Sequence, residues 1–282
     1  MKFVSFIQDG RASFGALLED GHQVADLGPR WGTLRKALPD IMAGRVADTI
    51  AGAQRLDFSS IELDLPITDP DKIICAGLNF LKHVQESGFE VPRFPSIFLR
   101  SATTFAPHDR PILKPDWAQT FDYEAELAII IGKAGRYIPT DAAGSHVAGY
   151  TLLMDGSVRE VQFDHSLSAG KNYYRSGAIG PWMVTADEVA DLGALELVGR
   201  LNGQVRQRGS LSDLIFDVPA LIAYCSRMTE LLPGDIISVG TPSGVGAGMK
   251  PPAYMSEGDV FETEVPGIGL LRNRVETDPL SL

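Results

Sequence analysis

The sequence predicts a strand-rich α+β fold, in which a small N-terminal module of strands and short helices leads into one larger domain. Three observations support this. Apolar runs are short, and the 29 glycines and 18 prolines are scattered among the turn clusters that separate them, which suits many short strands better than a repeating βαβ chain. Only residues 218–231 have the periodicity of a full amphipathic helix, stopped by Pro233-Gly234. A length of 282 residues is generous for one core and short for three.

In chain order, residues 3–7 alternate into the turn Gln8-Asp9-Gly10 and residues 14–18 resume an apolar run, which predicts a hairpin. The two prolines of Leu65-Pro66-Ile67-Thr68-Asp69-Pro70 predict an extended linker, so a boundary is set between residues 1–69 and 70–282. Residues 72–76 form an apolar run ending at Gly77, and residues 79–87 predict one or two helical turns closed by Gly88. Further strands are expected at 126–131, 149–154 and 236–239. No internal repeat or low-complexity tract is present.

A formal net charge of −11 argues against a non-specific grip on nucleic acid or an anionic membrane, because both require clustered cations. An anionic substrate would therefore need a local pocket of Arg, Lys and metal ion. Cys75 and Cys225 have neither metal-ligand spacing nor disulfide-scaffold density, and both are expected as buried free thiols. The opening MKFVSFIQDGRASFG lacks a long apolar region and no stretch reaches transmembrane length, so a cytoplasmic location is the expectation.

The most informative stretch is Phe121-Asp122-Tyr123-Glu124-Ala125-Glu126-Leu127-Ala128-Ile129-Ile130-Ile131. As a strand it places Phe121, Tyr123, Ala125, Leu127, Ile129 and Ile131 on one face and Asp122, Glu124 and Glu126 on the other. Like charges at that spacing repel unless solvent or a cation offsets them. Mg²⁺ or Mn²⁺ would do so through hard oxygen ligands, while an ordinary solvated strand face remains the plainer alternative. The run Gly149-Tyr150-Thr151-Leu152-Leu153-Met154-Asp155 is an apolar strand ending in an acid. A short helix after it would bring Arg159 and Gln162 close, Arg159 as a fork for a carboxylate and Gln162 as a hydrogen-bonding guide. Lys171 is a second candidate cation.

DYEAELAIIIGK from Asp122, the Asp155, Arg159, Gln162 and Lys171 spacing, GPW from Gly180 and VGTPSGVG from Val239 occur in that order. With Glu257-Gly258-Asp259-Val260 and Gly267-Ile268-Gly269-Leu270-Leu271-Arg272-Asn273, this set resembles the fumarylacetoacetate hydrolase superfamily over about residues 70–275. The resemblance implies a mixed β-sandwich roll of that superfamily's C-terminal type, a small N-terminal α/β domain and a homodimer. It implies Glu124, Glu126 and Asp155 as ligands of Mg²⁺ or Mn²⁺, and Arg159, Gln162, Lys171 and Thr241 around the substrate. It also implies a His–Glu pair on a closing segment, matched by His83 and Glu86, which at i, i+3 would share one helix face. His22, His108, His146 and His165 have no such context. Met154 and Gly156 flank the metal aspartate where many relatives have Asn and Val, and Arg100 stands where many have Lys.

The expected chemistry is hydrolytic C–C cleavage of an acylpyruvate-like or β-diketo acid via a metal-bound enolate. In it His83 and Glu86 activate water, Lys171 steadies developing charge and Arg159 holds a carboxylate. The alternatives are an oxaloacetate decarboxylase or an oxo-acid tautomerase or isomerase on the same fold, and beyond them a non-catalytic small-ligand binder. Specificity is expected from the lid at 78–95 and from Tyr173-Tyr174-Arg175, where Tyr174 or Arg175 either touches substrate or packs at a subunit interface.

Overall fold

The computed structural model describes residues 1–280. The predicted hairpin is formed by Lys2–Gln8 and Arg11–Leu17, paired antiparallel from Lys2↔Leu17 to Gln8↔Arg11 around Asp9-Gly10. Gln23–Asp26 and Arg55–Asp57 continue its sheet. On its other edge Lys2 and Phe3 pair with Val184 and Met183 of Gly177–Thr185. The sheet then runs through Val147–Met154, Ala125–Ile131, Ile236–Ser238, Ile73–Gly77 and Ser96–Arg100. These pairings are antiparallel except Ile236–Ser238 with Ile73–Gly77. A second, five-stranded sheet comprises Gln204–Ser210, Glu196–Leu201, Val260–Val265, Gly269–Thr277 and Ile112–Lys114. The architecture is a strand-rich α+β fold with mixed sheets.

Ala125–Ile131 lies at the centre and is buried along its whole length. Leu127, Ile129 and Ile131 share a core with Leu197, Phe261, Val265 and Leu271 of the second sheet, as do Phe121, Tyr123 and Ala125. Ala128 and Ile130 face the opposite core, under Leu34, Ala37, Leu38 and Ile41. The period-2 reading of this stretch is therefore right for its apolar face, and its other face is covered too.

The acidic stretch departs from expectation in one respect. It is two strands, Phe121–Asp122 and Ala125–Ile131, with the first paired to Ser157–Val158 rather than to the main sheet. The strand is interrupted at Tyr123-Glu124, and Asp122 is not among the carboxylates that converge with Glu124 and Glu126.

The predicted C-terminal helix spans Val218–Met228, capped by Asp217, whose carboxylate accepts from the Ala220 amide at 2.8 Å. It stops short of residue 231 because Leu231 exchanges two backbone hydrogen bonds with Gly135. Contrary to the expectation of a single amphipathic helix, Leu34–Met42 is a second one, with Pro39 inside it; Thr33 caps it and Leu34, Ala37, Leu38 and Ile41 form its buried face. Cys75 and Cys225 are buried free thiols, as expected. No helix among the described residues is long and apolar enough to cross a membrane.

Candidate metal and oxo-acid site

The register of two strands brings the carboxylates together. Ala125 pairs with Met154, so Glu124 and Asp155 fall opposite one another, and the Asp155 amide donates to the Glu124 carbonyl at 2.9 Å. Glu126 sits one pleat further on, accepting from the Ser238 hydroxyl and from the Gly240 amide at 3.3 Å. Carboxylate oxygens of Glu124, Glu126 and Asp155 lie within 4.8 Å of one another, and all three residues are buried. A solvated acidic face is thereby excluded for them.

The helices Arg159–Asp164 and Leu167–Lys171 supply cations. Lys171 Nζ donates to Glu124 Oε2 and Asp155 Oδ2, both at 2.7 Å, and to Ser157 Oγ at 2.8 Å. Arg159 donates to Asp122 Oδ2 at 2.8 Å, Glu124 Oε1 at 2.7 Å and Gln162 Oε1 at 2.8 Å. Arg100 reaches Asp155 through Nη1, and through Nη2 binds Ser176 Oγ at 2.8 Å and the Thr104 carbonyl at 3.1 Å. Its fork thus serves a protein carboxylate and a carbonyl together, a geometry a lysine would not reproduce. Gly156, another of the departures noted above, is explained by space: a Cβ there would lie 1.8 Å from the Ser176 carbonyl oxygen.

Counted as formal charges, the carboxylates Asp122, Glu124, Glu126 and Asp155 face the three cations Arg100, Arg159 and Lys171, which leaves one buried negative charge unmatched. The imbalance falls on Glu126. Burial, then the neighbouring Asp155 and Glu124, push its pKa well above the ordinary carboxylate value. For Glu124 burial acts the same way but is outweighed by Lys171, Arg159 and His83, which hold it at about 2. Lys171 is likewise pulled down by burial and pushed up more strongly by Asp155 and Glu124. A buried all-oxygen cluster short of one positive charge fits a hard divalent cation. With it the set would carry one positive charge in excess, a complement to an anionic oxo acid.

Above this floor stands the helix Leu81–Glu86. His83 Nδ1 is 3.3 Å from Glu86 Oε2, and the Gly244 amide donates to both Glu86 oxygens at 3.0 and 3.1 Å. The predicted pair is therefore docked on the glycine-rich loop. His83, Glu86, Glu124, Glu126, Arg159, Gln162, Lys171 and Thr241 all line one cavity of about 520 Å³; Asp155 lies beneath Lys171. Thr241 is less free than expected. Its hydroxyl donates to the Ala125 carbonyl at 2.9 Å and accepts from Gln207 Nε2 at 2.7 Å. Tyr173, Tyr174 and Arg175 do not line the cavity; Tyr173 packs edge-on against Trp117. His22, His108, His146 and His165 also lie outside it.

Sequence reading missed three supports. Asp122 accepts from Arg159 and from the amides of Gly246 at 2.7 Å and Ala247 at 3.0 Å, tying the loop to the floor. Gln207 holds the Ala125 amide at 2.8 Å. Asn79 donates to the carbonyls of Phe216 at 3.0 Å and Val239 at 2.8 Å, fixing the start of the lid. Only Asp122 carried a signal, as the first acid of the acidic stretch.

The family model described as fumarylacetoacetate (FAA) hydrolase C-terminal matches residues 72–276. A mitochondrial oxaloacetate tautomerase of Bos taurus is 38% identical over 221 residues, 77% of this chain and 70% of the relative. A fumarylacetoacetate hydrolase of Exiguobacterium antarcticum superposes with a TM-score of 0.85 at 35% identity, covering 99% of this chain and 100% of that one. Maleylpyruvate hydrolase of Sphingobium sp. SYK-6, solved with manganese(II) and pyruvate, superposes with a TM-score of 0.81 at 27% identity, covering 98% and 99%.

Proposed function

Because the chain belongs to the fumarylacetoacetate hydrolase family, we propose that it is a divalent-cation-dependent enzyme that interconverts the enol and keto forms of a 2-oxo acid. The observation that carries this is the buried floor: three converging carboxylates one positive charge short, under a histidine that a glutamate orients. The choice of tautomerisation over hydrolysis, the expectation drawn from sequence, follows the oxaloacetate tautomerase among the relatives. Glu124, Glu126 and Asp155 would hold Mg²⁺ or Mn²⁺. The bound cation would supply Lewis-acid polarisation of the 2-oxo group.

The chain's own groups do the rest. In this reading His83 Nδ1 donates to Glu86 across the 3.3 Å contact, which would leave Nε2 to act as the base. His83 takes the proton from C3, the C–H electron pair forms the C2–C3 double bond, and the carbonyl pair moves onto oxygen. The imidazolium returns a proton to that oxygen, and the reverse sequence regenerates the keto form. Glu86 orients the ring and stabilises the imidazolium. All three donors of Lys171 are engaged, so it acts through its charge and by holding Glu124 and Asp155 in place. Three of the five donors of Arg159 are engaged, which leaves two for a substrate carboxylate.

The same His83–Glu86 pair would suit water activation, which keeps hydrolysis of a β-diketo acid as the second reading. Enol-oxaloacetate decay followed by absorbance, with and without Mg²⁺ or Mn²⁺, tests the proposal. Metal-dependent acceleration should fall by about a hundredfold in His83→Gln. With an acylpyruvate as substrate, accumulation of pyruvate and a second carboxylic acid would shift the assignment to hydrolysis; pyruvate and carbon dioxide from oxaloacetate would shift it to decarboxylation.

A further inference from the structure

We infer that the tail of the preferred substrate is a bulky, uncharged apolar group rather than a second carboxylate; this rests on the 2-oxo-acid reading of the floor. The first observation is size. An oxaloacetate molecule has nine non-hydrogen atoms and at about 30 Å³ each, the share of one water, would fill roughly half of the cavity. The cavity measures about 520 Å³.

The second observation is where its cations lie. Among the described residues, the only basic ones lining the cavity are His83, Arg159 and Lys171. All three contact carboxylates of the floor or lid, at Glu86, Asp122, Glu124 and Asp155. A 2-oxo acid bound there uses these groups for its carboxylate and oxo oxygens. Nothing cationic lines the remainder, so a second carboxylate placed there would find no charged partner.

The third observation is what does line it. Leu78 and Phe89 come from the lid, Phe98 from the strand Ser96–Arg100, Phe163 and Leu167 from the two cation-bearing helices, and Val245 from the glycine-rich loop. The Phe98 ring centroid lies 5.3 Å from Lys171 Nζ, so the apolar wall begins beside the floor. It ends at the mouth, where Phe89 and Phe163 are 59% and 67% exposed. Two large rings flanking one opening are surface that an apolar ligand would remove from water.

The test uses the Mg²⁺-loaded protein and two acids that differ in tail, oxaloacetate and 2,4-dioxo-4-phenylbutanoate. Enol-to-keto conversion should favour the phenyl acid by about tenfold or more in kcat/KM, mainly through KM. Phe163→Arg, which places a cation at an exposed position, should lower or invert that ratio. A parallel calorimetric titration uses benzoylformate and ketomalonate, neither of which can enolise, so binding reads the tail without turnover. Benzoylformate should bind about tenfold tighter. If neither acid tautomerises yet benzoylformate still binds more tightly, the proposed reaction fails and the tail assignment stands. Equal affinities, or tighter binding of ketomalonate, overturn the tail assignment whatever the turnover.

Discussion

At the floor of the cavity Glu124, Glu126, Asp155 and Lys171 are no more than 6% exposed, and each makes at least two hydrogen bonds or ion pairs. At the rim Phe89, Val91 and Phe94 are more than half exposed, whereas the first half of the same segment is held by Asn79, Glu86 and the buried Phe80 and Val84. The floor is over-determined: each charge is positioned by several neighbours, and removing one leaves others buried without partners. The rim is positioned by few contacts and can change its apolar surface cheaply. Chemistry should therefore be sensitive to the first region and selectivity to the second.

The largest expected effect breaks the floor. Glu126→Gln keeps shape while removing one candidate ligand and the unmatched charge. Turnover should fall by about a thousandfold or more, with weakened Mn²⁺ binding by calorimetry, on the scale of losing a metal's transition-state stabilisation. Near-normal Mn²⁺ affinity would remove Glu126 from the ligand set.

A smaller effect is electrostatic and belongs to the metal-free protein. Glu126 has a folded-state pKa raised above the ordinary 4.5. As pH rises past 4.5 the unfolded chain gives up this proton first, so stability falls by up to about 1.4 kcal/mol per pH unit until the folded-state pKa is passed. Glu124 acts in the opposite sense: held at about 2, it contributes stability that is lost as pH falls from 4.5 towards that value. Urea unfolding in EDTA between pH 5 and 7 should show a steeper decline for the native sequence than for Glu126→Gln, and identical slopes would refute the charge imbalance.

The smallest effect probes the rim. Val91→Ser, at a 54% exposed position outside the cavity lining, should change stability by no more than about 0.5 kcal/mol and leave turnover of oxaloacetate within twofold. A loss comparable to that of Glu126→Gln would erase the distinction between the two regions.

How much of this was legible in sequence follows the same division. The hairpin, the central strand's apolar face, the helix Val218–Met228 and the convergence of Glu124, Glu126 and Asp155 follow from local periodicity plus ordered motifs. The break at Tyr123-Glu124 does not, because it arises when Asp122 is drawn to Arg159 and the Gly246 and Ala247 amides, partners 37 to 125 residues away. Gln207 and Asn79 were equally silent: each is one buried amide in an unremarkable run, and its partners lie in distant loops. The engaged hydroxyl of Thr241 belongs to the same class. Motifs name the groups that line the cavity, while the groups that hold them are specified only by the fold.

The lid leaves the sheet after Gly77 and returns at Ser96, and those two residues are paired neighbours in adjacent strands. Residues 78–95 are therefore a loop whose ends are already stapled together by the sheet. Doubling the length of such a loop costs only about 0.6 kcal/mol in closure entropy. Insertion or exchange between the end of the short helix and Ser96 is thus a route by which lineages, or a designer, could give one unchanged carboxylate floor a succession of different tenants.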